Sequence, residues 1–237
     1  MLSNVPSEAA QREQLRWVAS DQVSAFLSAV YGWMSAGLLI TAAAAWWAAT
    51  TPAIIEAITT NRGLLWGLLL VQLALVFGLS AGVQRLDAFT ASLLFVLYSA
   101  LTGVTLALAL LAFTGESVAT TFLVTAGMFG GLAIYGTITK RNLAGFGQFL
   151  FTGLIGVVVA SIVGLFWHSD AFQFVFSIVG IVVFSGLTVY DAQRLRIMAL
   201  QAPAGQSSYA IVGALALYLD FTNLFLFLLR FTGNRRN

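Results

Sequence analysis

Seven apolar stretches, each close to the ~20 residues that a membrane-spanning helix needs, dominate this chain of 237 residues. They fall at about 25–49, 64–83, 89–113, 117–138, 145–167, 172–192 and 209–231. Charged residues make up only 8% of the chain and hydrophobic ones 59%, against roughly 25% charged in soluble domains. The expected fold class is therefore an all-α membrane protein of seven transmembrane helices. Residues 1–24 form a polar lead, and 25–237 a single transmembrane domain with the lipid bilayer as its first partner.

The same composition removes several classes of function. There is no cysteine, which rules out disulfides, thiolate metal sites and cysteine nucleophiles. No Lys/Arg run is dense enough to suggest nucleic acid. The lead is polar and mixed in charge, unlike a cleavable signal peptide. Small residues recur at four-residue spacing, as in Gly78 with Gly82, Gly127 with Gly131, and Gly156, Ala160 and Gly164. Such pairs are expected to mark close helix packing rather than chemistry. Arg12, Arg16, Arg85, Lys140, Arg141, Arg194 and Arg196 fall on one side of a seven-span layout, and only Arg62 falls in the opposite connections. The basic bias puts the N-terminus in the cytoplasm, although Arg230, Arg235 and Arg236 run against it.

Ionisable groups at membrane depth are costly and usually functional. Asp220 lies 11 positions after Tyr209, so ~16 Å into the seventh span. On that helix Tyr209, Gly213, Ala216, Asp220 and Asn223 share one face, with Leu and Phe around the rest. Asp191 sits at the end of the sixth span, which runs inward as the seventh returns. Both acids can thus approach the cytoplasmic half of the bundle. Two carboxylates meeting in a poorly hydrated site cannot both ionise cheaply, and they titrate as a unit. Such a pair would be a proton-operated switch, a proton relay or a cation site. Arg85, at the inner end of the second span, could hold the pair ionised and release it on protonation. Asn223, Tyr190 and Tyr218 are the candidates to line an ion path.

Two motifs point further. Leu217-Tyr218-Leu219-Asp220-Phe221-Thr222-Asn223-Leu224-Phe225, followed by Leu228-Leu229-Arg230, resembles the closing helix of the Bax inhibitor-1 family (LYLDxxNLF…LLR). Tyr190-Asp191 with Gln193 resembles that family's YDxQ at the end of helix six. The resemblance covers nearly the whole chain and is nearest to the bacterial branch. It implies a C-terminal helix at the centre with the other six wrapped around it. It also implies a pH-sensitive calcium leak gated by an aspartate pair, which would be Asp191 and Asp220, with Arg85 matching an arginine that interacts with them.

These implications set the leading expectation: a passive Ca²⁺ path in a bacterial inner (plasma) membrane, with no enzyme activity and no bound cofactor. Asp191 and Asp220 would hold Ca²⁺ only weakly and in transit, since calcium prefers several oxygen ligands. Loss of the Arg85 clamp on protonation favours more leak in acid, whereas repulsion between two ionised acids would open the path at high pH. The alternative is a regulator of a membrane-bound quality-control protease or stress response, without physiological flux and with residues 1–24 as its handle. An intramembrane aspartyl protease fits poorly, because Leu217-Tyr218-Leu219-Asp220 replaces the Gly-x-Gly-Asp those enzymes carry. A retinal protein needs a lysine in the last span, and the chain's one lysine is Lys140.

Overall fold

The computed structural model describes residues 8–164, 166, 169–201 and 207–236. They form eight helices: α1 Glu8–Thr50, α2 Pro52–Thr60, α3 Arg62–Gly82, α4 Ala88–Leu111, α5 Gly115–Ile138, α6 Ala144–Gly164, α7 Asp170–Gln201 and α8 Ser207–Thr232. All but α2 are long and apolar enough to cross a membrane, with α1 doing so over Ser20–Thr50. The fold is the expected seven-span bundle.

Polar side chains at the breaks separate the spans. Asn61 Oδ1 accepts from Leu64 N at 3.1 Å, and Asp87 Oδ2 accepts from Phe89 N and Thr90 N at 3.1 and 3.2 Å. The Thr114 hydroxyl accepts from Ser117 N at 3.3 Å. Each satisfies a donor that a helix start leaves open.

Helix α2 fills what the sequence presents as a plain connection. Pro52 occupies its first turn, where the missing N–H costs nothing. Ile54, Ile55 and Ile58 turn inward while Glu56, Thr59 and Thr60 stay exposed. Helix α7 departs from expectation more consequentially. It continues to Gln201, nine residues past the anticipated end, so Asp191 lies inside the helix and not at its tip. Polar residues such as Gln193, Arg194 and Arg196 hide that continuation from a hydropathy reading. Two of them hold the α5–α6 region. Gln193 donates to Arg141 O at 2.7 Å and accepts from Leu143 N at 3.1 Å, and Arg196 donates to Thr137 O at 3.1 Å.

Helix α8 is the axis. In its most apolar window 72% of residues are buried, against at most 39% in any other span. It packs directly on α1, α3, α4, α5 and α7, while α6 joins the bundle through α7. The close backbone approaches lie elsewhere than the small-residue series suggests. A side chain added at Gly78, Gly127, Gly131 or Gly156 would meet open space. Those glycines face outward and mark no interface. Gly103 instead lets α4 rest on the Thr41 carbonyl and Ala44 of α1, and Gly136 lets α5 rest on Val189 and Ala192 of α7.

At the end of α8 the chain doubles back over the α4–α5 connection. Asn234 O accepts from Thr114 N at 3.1 Å, Arg236 N donates to Ala112 O at 2.9 Å, and Arg235 donates to Gln173 of α7 at 2.9 Å.

Two outcomes follow from these contacts. Gly103→Val should push α4 off a backbone carbonyl and lower unfolding stability in detergent by about 1–3 kcal/mol, whereas Gly127→Ala should leave it unchanged or slightly raised. Hydrogen bonds from the Thr90 hydroxyl, and next from its backbone N–H, hold the Asp87 carboxyl below its usual 3.8. A lowered value means that the cap contributes above the ordinary carboxylate range and is lost as pH falls through the lowered one. Asp87→Ala should therefore flatten the acid limb of the stability profile, read by thermal unfolding from about pH 6 to pH 2.

Candidate functional site

The antiparallel crossing of α7 and α8 brings two acids together. Asp191 and Asp220 lie within hydrogen-bonding reach of each other. Asp220 is 4% exposed, and its Oδ2 has no hydrogen-bond partner among the described residues. Asp191 is half-buried. Arg194, one helical turn further along α7, is the cation whose charge reaches Asp191. Arg85 is exposed in the turn after α3 and does not line the cavity that holds the acids. That turn does approach α8, since the Ser208 hydroxyl donates to Val83 O at 3.3 Å.

The acids open onto a cavity of about 1000 Å³. Its floor is α7 and α8, and its flanks are α3 and α6, which do not pack against each other. Asp191, Arg194, Asp220, Asn223 and Tyr190 all line it, with Gln72 and Gln148 on the two flanks. The Asn223 amide donates to Leu219 O at 2.8 Å, which leaves its Oδ1 available to the cavity. The Tyr190 ring lies over Gly147 of α6, where any side chain would collide with it.

Tyr218 falls on the opposite side of α8 and does not line this cavity. It is fully buried, edge-on to Phe95 and Tyr98 at 5.8 Å each. Its hydroxyl lies 2.5 Å from Thr41 Oγ1, which itself donates to Ser99 O at 2.9 Å. Thr41 has only one hydroxyl proton, so Tyr218 is the donor to Thr41. This chain ties α8 to α1 and α4.

The sequence-derived site thus divides. Asp191, Asp220, Asn223 and Tyr190 come together, while Arg85 and Tyr218 lie outside the group. Arg194, Gln72 and Gln148 belong to the cavity and were not anticipated. Arg194 could have been found from its three-residue spacing to Asp191 on a helix, but the expected helix end at 192 removed that argument.

Chemically, two carboxyls and one amide oxygen make a small oxygen cluster. No group of three His, Cys, Asp or Glu residues occurs among the described residues. Calcium takes 6–8 oxygen ligands, so water would have to complete the shell of any ion passing here.

Comparison with known proteins agrees with the architecture. A family model described as "Inhibitor of apoptosis-promoting Bax1" matches residues 23–237. The inner membrane protein YbhL of Escherichia coli K12 is 50% identical over 215 residues, covering 89% of this chain and 92% of YbhL. A protein of Deinococcus radiodurans is 44% identical over 92% of this chain and 93% of its own length. One from Borreliella burgdorferi is 43% identical, over 90% and 93%.

The division of α8 into two faces has a direct consequence. Tyr218→Phe removes the hydrogen bond to Thr41 without touching the cavity lining. It should lower unfolding stability by about 1 kcal/mol and leave thiol labelling of a cysteine placed at Asn223 unchanged.

Proposed function

The chain belongs to the Bax inhibitor-1 family, and from that premise we propose that it is a pH-sensitive calcium leak gated by protonation of Asp191 and Asp220. The observation that carries this reading is the buried, unpartnered Asp220 Oδ2 facing a second carboxyl at the floor of a cavity. A lone charge at this depth is expensive. Ionised, the pair attracts cations; protonated, it does not. The protonation state therefore sets what can occupy the cavity.

Arg194 supports this reading. With Asp191 ionised, the guanidinium one turn along the same helix attracts it. Protonation removes that attraction and lets the wall of the cavity relax. The sign that follows is more leak on acidification. Arg85, two residues beyond the lining residue Val83, is a second arginine that a shift of the α3–α4 turn would bring to the mouth. Asn223 and Tyr190 would border the path. Ca²⁺ is cargo in this reading, and the role is not enzymatic. The excess of basic residues on the side of the α3–α4 and α5–α6 connections supports a cytoplasmic N-terminus. The name of YbhL, an inner membrane protein, supports the bacterial inner membrane.

Purified protein in liposomes should admit Ca²⁺ at a rate that rises from about pH 8 to pH 5, no more steeply than about tenfold per pH unit for one proton. Asp191→Asn and Asp220→Asn should each flatten the profile. Absence of flux at every pH, or flux indifferent to both substitutions, overturns the reading. A regulatory role, free of transport and acting on a membrane-bound protease through the polar lead of residues 1–24, would then take its place.

A further inference from the structure

The cavity-lining face of α8 continues past the acids. Tyr209, Gly213, Ala216, Asp220, Asn223 and Phe227 all border the cavity, and they repeat every three or four residues along one side of the helix. From Tyr209 to Phe227 is ~27 Å at ~1.5 Å per residue, close to the ~30 Å hydrocarbon thickness of a bilayer. The polar part of this face ends at Asn223. The last lining residue is Phe227. Immediately beyond it stands Arg230, with its guanidinium carbon 5.9 Å from the centre of the Phe227 ring. Phe227 is therefore the last lining residue of α8 before its charged end.

That ring is braced. Phe227 is 6% exposed. It lies against Gly180 of α7 at a spot where a side chain on residue 180 would overlap it. Phe176 meets it edge-on at 5.2 Å, and Phe184 stacks on it at 5.7 Å. An apolar constriction one ring thick stops ions by excluding the water they need. Arg230 adds a positive charge on the far side, which repels any cation arriving there.

We propose that Phe227 is the barrier that closes the cation path on the side of the chain's C-terminus, with its ring seated in the notch left by Gly180. This rests on the calcium-leak reading above and adds a second closure, distinct from the aspartate pair and located one to two turns beyond it. Opening then requires two events. The acids must change protonation, and the ring must leave its notch. Movement of α7 against α8 serves both, because Asp191 and Gly180 lie on the same helix.

The natural absence of cysteine makes the test clean. Asn223→Cys is introduced alone and together with Phe227→Ala, Phe227→Val or Phe227→Leu, in the full chain in sealed membrane vesicles. A membrane-impermeant cationic thiol reagent is added to one side or the other. With Phe227 intact, labelling from the C-terminal side should be slow. Phe227→Ala should speed it on the order of tenfold or more, the scale set by losing one large apolar side chain. Phe227→Leu should leave it slow. Phe227→Val is the fallback if the alanine variant does not fold, and should give an intermediate rate. Ca²⁺ flux is measured on the same variants without the cysteine. Labelling unaffected by both the alanine and valine variants, or already fast with Phe227 intact, overturns the barrier whether or not the protein leaks calcium. Labelling that opens as expected while Ca²⁺ flux stays absent at every pH upholds the barrier and removes only the leak reading.

Discussion

A carboxyl in the middle of a membrane has to be kept from lipid, and the arrangement of this protein depends on that constraint. Asp220 sits on α8, and α8 can shelter it only by being surrounded. The other helices are correspondingly greasy on their outer faces, where Leu, Val, Ile and Phe stay exposed. The core of the molecule is thus one helix, and the remaining spans are its insulation. In water the same chain would present its apolar sheath to solvent. In a bilayer that sheath is the matched surface, and the buried polar groups are what demand a defined packing.

The two sides of α8 are held by different physics. Toward α1 and α4 the contact is dry and tight. The Tyr218 hydroxyl donates a hydrogen bond to Thr41, Thr41 donates one to the Ser99 carbonyl, and Gly103 removes the side chain that would hold the backbones apart. Toward α3 and α6 the packing opens into the cavity, because those two helices have no extensive contact with each other. Helix α8 is therefore held by α1, α4, α5 and α7 and is least supported on the side that faces the cavity. Motion that alters the cavity is more easily made by α3, α6 or α7 than by the axis itself.

Much of this is legible in the sequence. Hydropathy marks the seven spans, since a run of about 20 apolar residues has few other uses. The polar stripe on α8 marks its inward face, and Asp191 and Asp220 stand out because membrane acids are rare. What was not legible follows from the same rules. Helix α7 outruns its hydropathy signal because Gln193 and Arg196 bond to the α5–α6 region rather than entering lipid. That longer helix is what puts Arg194 beside Asp191. The series containing Gly127 and Gly131 has the spacing of an interface but faces outward, since spacing says nothing of which way a face turns. Tyr218 precedes Asp220 by two residues, which on a helix is more than half a turn round, so it could not share the acid's cavity.

The position of α8 in the chain has a bearing on how the protein is made. The segment at the centre of the fold leaves the ribosome after the six other spans. The six spans that precede it enter the membrane without the surface they are shaped to grip. Until α8 arrives, the Thr41 hydroxyl lacks its tyrosine and Asp191 lacks its partner acid. Assembly therefore has the character of a clasp that closes when the seventh span enters. A chain cut short before residue 207 would keep the sheath and lose the helix it encloses, with the polar groups that line it left unmatched.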